Sequence, residues 1–159
     1  MFMELLGKPT ISTPIFISGK LAVVFCVLSP FLALAAPGWF LEIPGGLLRI
    51  SAWLLYGTSM IVTIMASLEL GKSLRVGLPG EKTGLKTHGL YSFSRNPIYA
   101  SFYPWALATA VLAPSPVVWV LSVYSLYVHH RIILGEEIFL ARRFGRQWKE
   151  YCTKVRRYA

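Results

Sequence analysis

The amino-acid sequence predicts an all-α, polytopic membrane protein with about four transmembrane helices. Hydrophobic residues make up 55% of the 159 residues and charged residues only 14%, whereas soluble domains carry about 25% charged residues. Apolar runs long enough to cross a bilayer recur along the chain, and the Lys and Arg residues cluster in alternate connections between them. A chain of 159 residues is expected to form a single domain.

The predicted spans cover residues 15–36, 47–70, 98–112 and 117–134. A helix needs about 20 apolar residues to cross a hydrocarbon core of about 30 Å. The third run is short and contains Pro104, which removes a backbone hydrogen bond, so we expect a kink in this helix. Residues 113–116 leave room only for a tight helical hairpin before the fourth run.

The distribution of Lys and Arg predicts that both termini face the cytoplasm. Residues 71–96 and the tail, residues 135–159, are rich in Lys and Arg, whereas the connections after the first and third runs contain neither. The net charge of +9 is therefore a topology signal and does not indicate a nucleic-acid partner. We expect an inner or plasma membrane protein whose active site faces the cytoplasm.

The tail is predicted to form an amphipathic helix over residues 136–151, and Gly135 is a candidate break before it. Its basic residues oppose an apolar side that would lie on anionic lipid headgroups. This apolar side consists of Ile138, Phe139, Leu140, Phe144, Trp148 and Tyr151.

The segment Gly89–Tyr99 leads into the third predicted helix, where free backbone amides favour an anionic group. Asn96 suits the N-cap and Pro97 the first turn of that helix. Arg95 precedes them and can contact a carboxylate or phosphate through two nitrogens. The residues alone leave open a structural role, in which Arg95 is a membrane-topology anchor and Asn96 an ordinary cap.

Glu136 and Glu137 follow the fourth run, where acidic side chains oppose the helix dipole and lie near anionic lipid. This placement suggests a cationic partner. The partner is either a positively charged ligand or an arginine of the protein, with Arg95, Arg142 and Arg143 as candidates.

Other potentially reactive groups give weaker signals. The run His129-His130-Arg131 lies one turn before the glutamates, and ionisable residues in a span are functional candidates unless they snorkel to the interface. Cys26 and Cys152 lack metal-ligand spacing, so no metal site is predicted. The chain contains no Asp, which excludes a Ser-His-Asp triad, and it has no nucleotide-binding Gly-rich loop after a strand.

Two motifs occur in order over nearly half of the chain. The first contains Gly89-Leu90-Tyr91 and Arg95-Asn96-Pro97-Ile98-Tyr99; the second contains Arg131, Glu136-Glu137, Leu140, Phe144-Gly145, Trp148, Tyr151 and Val155. In this order and spacing they resemble the isoprenylcysteine carboxyl methyltransferase family and its bacterial membrane relatives. The family's usual Arg-His-Pro is Arg-Asn-Pro here, and Asn96 cannot serve as a proton acceptor.

The resemblance implies S-adenosylmethionine bound at the cytoplasmic mouth of the hairpin between the third and fourth helices. Arg131 would be catalytic by holding the substrate's carboxylate. Arg95 is the second catalytic candidate, and at the helix N-terminus it suits the carboxylate of S-adenosylmethionine. The implied cofactor contacts are Thr83, Gly84, Leu85, Lys86, Tyr91, Asn96, Pro97, Ile98, Tyr99, Glu136 and Glu137.

The implied reaction is methyl transfer to a lipophilic acceptor that enters from the bilayer, such as an isoprenylcysteine-like carboxylate or a related lipid. Phospholipid N-methylation is the nearest alternative. The ending Phe144–Cys152 is also similar to the tail of NADPH-dependent sterol reductases, and a non-catalytic small membrane protein stays open. The oligomeric state cannot be read from lipid-facing apolar surface.

Overall fold

The structure is a computed structural model that describes residues 11–42, 45–71 and 84–158. The predicted all-α class is confirmed, because these residues form helices and no β-sheet. The helices are α1 (Thr13–Ala35), α2 (Gly46–Leu70), α3 (Pro97–Ala100), α4 (Phe102–Leu112) and α5 (Pro116–Lys154), with short 3-10 turns at Pro37–Trp39 and Gly89–Ser92.

Three helices of the described chain, α1, α2 and α5, are long and apolar enough to cross a membrane. The third predicted span is divided, because a turn at Ser101 separates α3 from α4. Pro104 explains the interruption, since it has no N–H to donate to the carbonyl of Ala100. The number of four spans and the cytoplasmic location of both termini stay predictions.

The long helix α5 continues through Gly135, so the break predicted at that glycine is wrong. The chain bends instead at Gly145, whose φ of 47° and ψ of −110° are outside the helical region. Glycine tolerates this positive φ because it has no Cβ. The bend lets Trp148 and Tyr151 pack against the protein around Leu85, so this part of the predicted amphipathic face covers protein rather than lipid.

Helices α1 and α5 approach each other closely at Gly19. A Cβ atom on Gly19 would lie only 2.4 Å from Cγ1 of Val128, and the χ1 angle of a valine in a helix is stiff. One residue earlier, the hydroxyl oxygens of Ser18 and Tyr124 are 2.6 Å apart. These contacts fix the position of the first helix against α5.

Substituting Gly19 by alanine is expected to destabilise the protein by about 1–3 kcal/mol, because the added methyl group overpacks the contact with Val128. Gly57 is the matched control, since its helical position has no atom within 4 Å of an added Cβ. Gly57→Ala should stabilise α2 by about 0.4–1 kcal/mol. Thermal unfolding followed by tryptophan fluorescence measures both; equal shifts for the two variants would contradict the close approach.

Candidate active site

The segment before α3 is held by the end of the chain. Ser94 and Arg156 form an isolated parallel β-bridge, and the backbone N–H of Arg95 donates to the carbonyl of Arg156 over 2.9 Å. The hydroxyl of Ser94 donates to the carbonyl of Arg157 over 3.2 Å. The C-terminal segment thereby positions the first residues of α3 beside α5.

Glu137 on α5 accepts hydrogen bonds from Asn96 and Arg157 and forms an ion pair with Arg95. Its carboxylate lies 3.2 Å from Nη2 of Arg95 and 2.8 Å from Nη2 of Arg157. Nδ2 of Asn96 donates to it over 3.4 Å. The hydrogen bond from Arg157 to Glu137 raises the pKa of the guanidinium above its usual value. The alternative that Glu137 pairs with Arg95 is confirmed, whereas pairing with Arg157 was not predicted.

Asn96 occupies the N-cap of α3 as predicted, and Pro97 begins the helix. The side chain of Asn96 makes no capping hydrogen bond. It donates instead to Glu137 and to the carbonyl of Arg157, the latter over 3.3 Å. Because α3 has only four residues, the anion site expected from a helix N-terminus lacks a helix long enough to support it.

Glu136 has a different environment from its neighbour. The hydroxyl of Tyr99 donates to Oε1 of Glu136 over 3.2 Å. Glu136 is partly buried, and the described residues offer its carboxylate no cation within 4 Å and its second oxygen no hydrogen bond. Glu136 therefore keeps acceptor capacity for a ligand, whereas Glu137 is occupied by protein groups.

The three consecutive residues 129–131 point in different directions. His129 is 2% exposed; its Nδ1 lies 2.8 Å from the carbonyl of Ser125, and its buried Nε2 has no hydrogen-bond partner. Nδ1 of His130 lies 2.6 Å from the hydroxyl of Tyr158. Arg131 is exposed and donates to the hydroxyl of Tyr127. Among the described residues, Arg131, predicted to be catalytic, forms no hydrogen bond or ion pair with Glu136 or Glu137.

Tyr91 packs between α2 and α5. Its hydroxyl donates to the carbonyl of Ala66 over 3.4 Å, and its own carbonyl accepts from the hydroxyl of Tyr151. Burial raises the pKa of Tyr91 well above its usual value. The predicted cofactor role of Tyr91 therefore competes with a packing role.

The turn before Tyr91 is anchored to the end of α2. The carboxylate of Glu69 accepts from the backbone N–H of Leu90 over 2.8 Å. Gly89 has a φ of +61° and lies against the same carboxylate, so a side chain there would be strained and would clash. This contact explains the glycine of the first motif.

The predicted contacts at residues 83–86 are only partly described. Leu85 packs against the cluster of Trp148, Tyr151 and Val155, and Gly84 is exposed. Lys86 is partly buried, and Thr83 lies outside the described residues. A surface groove of about 570 Å³ begins beside Leu85 and Tyr151.

Sequence reasoning did not select two residues of this region. Arg157 was counted only among the basic residues of the tail. Lys20 lies within the first predicted span, residues 15–36, and its ammonium lies 5.8 Å from the centre of the Tyr99 ring. The sequence itself marks Lys20 as a candidate, since a charged residue inside an apolar span is a functional candidate by default.

Comparison with known proteins identifies the family. The sequence model for phospholipid methyltransferases matches residues 47–147. The chain belongs to this family. The match covers α2 to the bend in α5, including Asn96, Tyr99, Glu136 and Glu137, and leaves out α1.

Two relatives are named as protein-S-isoprenylcysteine O-methyltransferases, the family that the two motifs resemble. A rice protein (Oryza sativa subsp. indica) named as a probable protein-S-isoprenylcysteine O-methyltransferase is 39% identical over 72 residues, which are 45% of this chain and 38% of that protein. The protein-S-isoprenylcysteine O-methyltransferase of Saccharomyces cerevisiae is 36% identical over 69 residues, or 42% of this chain and 28% of that protein. The resemblance to this family is confirmed. This chain matches well under half the length of these two relatives.

A solved structure has the same fold. The eukaryotic intramembrane Ras methyltransferase ICMT (isoprenylcysteine carboxyl methyltransferase) superimposes with a TM-score of 0.64 and 20% sequence identity, covering 88% of this chain and 51% of that one. At this identity the likeness concerns the fold alone. The fold extends over more of the chain than the family motifs do, so α1 belongs to it.

Proposed function

We propose that this protein transfers the methyl group of S-adenosylmethionine to the carboxylate of a lipophilic acceptor, such as an isoprenylcysteine, at the cytoplasmic face of the membrane. The observation that carries the proposal is the Glu136 carboxylate: Tyr99 donates to one of its oxygens, and the other accepts no hydrogen bond from the described residues. It lies in a chain of the phospholipid methyltransferase family, beside a charge network that fixes the neighbouring backbone.

The residues present fit the proposed methyl donor. S-adenosylmethionine carries ribose hydroxyls, an ammonium and a carboxylate. The free oxygen of Glu136 can accept from the hydroxyls or the ammonium. Nε of Arg95 is buried and has no hydrogen-bond partner among the described residues, so its N–H is available to donate to a carboxylate. Glu136 and Arg95 are therefore the residues proposed to hold the donor.

The reaction requires alignment more than acid–base chemistry. When bound, S-adenosylmethionine supplies an electrophilic methyl group on a sulfonium. A carboxylate acceptor is already ionised at neutral pH, since carboxyl pKa values lie near about 4. An oxygen of the acceptor forms the new bond to the methyl carbon as the carbon–sulfur bond breaks, and no proton moves. The task of the chain is to hold the two reactants in line and to exclude water.

The proposed reaction is compatible with the departure from the family motif. Asn96 stands where the family has a histidine, and its side chain donates to Glu137 and to the carbonyl of Arg157. A carboxylate acceptor needs no base at that position. An ammonium acceptor must lose a proton before it can attack, and Asn96 cannot take that proton.

A lipophilic acceptor has a route along the membrane side. An apolar hollow of about 300 Å³ lies between α2 and the α3–α4 pair. Leu55 and Val62 line it on one side, and Pro97 and Pro104 on the other. The hollow reaches Pro97 in α3, the helix that also carries Tyr99, so a hydrocarbon chain there would lie close to the proposed site.

Phospholipid N-methylation is the second candidate. The name of the matching family favours it, and Nε2 of His129 is a buried acceptor without a partner that could take the proton of an amine. Both candidate reactions use S-adenosylmethionine as the methyl donor. Carboxyl methylation forms an oxygen–carbon bond, whereas phospholipid N-methylation forms a nitrogen–carbon bond.

The test is methyl transfer from S-adenosylmethionine labelled in its methyl group to two acceptors, an amino-blocked S-farnesylcysteine and phosphatidylethanolamine vesicles. A carboxyl methyl ester releases its label as methanol in mild alkali, whereas an N-methyl amine does not. We expect alkali-labile label on the farnesylcysteine, lost in Glu136→Gln and retained in Glu150→Gln, a control at an exposed surface pair. Alkali-stable label on the phospholipid would instead select the second candidate, and no transfer to either acceptor would contradict both.

A further inference from the structure

Lys20 is a charged residue well inside the first helix. It lies seven residues after Thr13, the first residue of α1, or roughly 10 Å along the axis at 1.5 Å per residue. A lysine in a span is costly and usually snorkels to the interface or meets a partner. The side chain of Lys20 is partly buried.

The neighbours of Lys20 fix where its side chain points. Gly19 allows α1 to approach Val128 of α5, and Ser18 bonds Tyr124 of the same helix. The ammonium lies 5.4 Å from the centre of the Phe16 ring and 5.8 Å from that of Tyr99. Lys20 is therefore directed towards α3 and α5.

The ammonium has three donors and uses none of them within the described part of the chain. No hydrogen bond is formed there, and no carboxylate oxygen comes within 4 Å. Glu136 interacts with Lys20 electrostatically over a longer distance, and the ring of His129 lies 5.7 Å from that of Tyr99. The unpartnered Nε2 of His129 is a second orphaned polar atom of the same region.

Two structural roles account for Lys20 less well. A topology anchor would reach towards water, whereas this ammonium lies near the rings of Phe16 and Tyr99. A dedicated counter-ion of Glu136 would form an ion pair, as Arg95 and Arg157 do with Glu137. An ammonium with free donors beside Tyr99, which holds Glu136, instead suits an anion brought by a ligand.

We propose that Lys20 of α1 binds the carboxylate of the lipophilic acceptor and so determines specificity for acids. The inference rests on the proposed function and adds to it, because α1 lies outside the match to the family at residues 47–147. Three donors of one ammonium can bind both oxygens of a carboxylate. The rings of Phe16 and Tyr99 lie within cation–π distance of the ammonium and stabilise its charge.

The test compares binding of two probes by calorimetry in lipid nanodiscs: amino-blocked S-farnesylcysteine and its carboxamide, which lacks the charge. We expect the acid to bind the wild-type protein at least about tenfold more tightly, equivalent to about 1.4 kcal/mol. Lys20→Met and Lys20→Gln should bind acid and amide equally, and Lys20→Arg should restore most of the preference. Lys149→Met, at an exposed lysine of α5, should keep the preference.

Binding of S-adenosylhomocysteine to each variant separates this inference from other roles. It should change less than about twofold in Lys20→Met. Three outcomes would overturn the inference. The first is that Lys20→Met loses affinity for S-adenosylhomocysteine as well as for the acid, and the second is that the wild-type protein binds acid and amide equally. The third is that Arg131→Met, and not Lys20→Met, loses the preference for the acid. Lys20-dependent acid binding without any methyl transfer would support the acid site while refuting the proposed function. If Lys20→Met and Lys20→Gln do not fold, the preference for acid over amide is compared between Lys20→Arg and the wild-type protein. Absence of the preference from either would then overturn the inference.

Discussion

Replacing Glu137 by alanine is expected to destabilise the protein by about 3–5 kcal/mol, because the substitution leaves a buried arginine without its counter-ion. The side chains of Glu137 and Arg95 are each 12% exposed. Arg157 and Asn96 lose the same acceptor. Since total stabilities are about 5–15 kcal/mol, a large part of the unfolding free energy depends on this carboxylate.

Thermal unfolding by circular dichroism, in one detergent, measures the effect. The control is Glu150→Ala, which removes a surface pair with Arg146 whose side chains are 59% and 91% exposed; its cost should be below about 1 kcal/mol. Arg157→Ala should lie between the two, because the side chain of Arg157 is 35% exposed. Equal unfolding temperatures for Glu137→Ala and Glu150→Ala would show that the C-terminal segment is not held by this network.

Glu136→Gln is expected to have the opposite profile: near-normal stability and a loss of methyl transfer of tenfold or more, about 1.4 kcal/mol or above. Glutamine retains an oxygen for the hydroxyl of Tyr99 but lacks the charge and the second carboxylate oxygen that we assign to the donor. No cation of the described chain pairs with Glu136 within 4 Å, so the substitution breaks no ion pair among the described residues and removes only a longer-range attraction to Lys20.

Tyr99→Phe provides a graded comparison. It removes the hydroxyl that orients Glu136 without changing the carboxylate, so methyl transfer should fall by less than in Glu136→Gln. We assign donor binding to Glu136 and stabilisation of the fold to Glu137. A loss of stability together with activity in Glu136→Gln would contradict this assignment.

The two motifs meet in the fold, whereas the roles of their residues stay predictions. Asn96 contacts Glu137 and Tyr99 contacts Glu136, and these residues come from motifs about 40 positions apart in the chain. Whether they bind a cofactor stays a prediction. Arg131 belongs to the second motif, but the helical rotation of α5 directs it to the exposed side, which the motif alone does not reveal.

Features set by tertiary packing were the ones that sequence patterns missed. Gly135 and Gly145 have the same intrinsic freedom, and only the packing of Trp148 and Tyr151 around Leu85 explains why the bend is at Gly145. Arg157 is one of many basic residues in the tail, and the sequence does not show which of them pairs with Glu137. Arg157 forms this pair because the β-bridge between Ser94 and Arg156 holds the neighbouring backbone in place. Helix positions followed from hydropathy because a span must satisfy its backbone internally.

The most direct test of the proposed function is calorimetric binding of S-adenosylhomocysteine and S-adenosylmethionine to the purified wild-type protein, with NADPH as comparator and Glu136→Gln alongside. The account predicts dissociation constants on the order of micromolar for both adenosyl ligands, weakened about tenfold or more by the substitution, and no binding of NADPH. Folded protein that binds neither adenosyl ligand, or that binds them equally well without the Glu136 carboxylate, would contradict it.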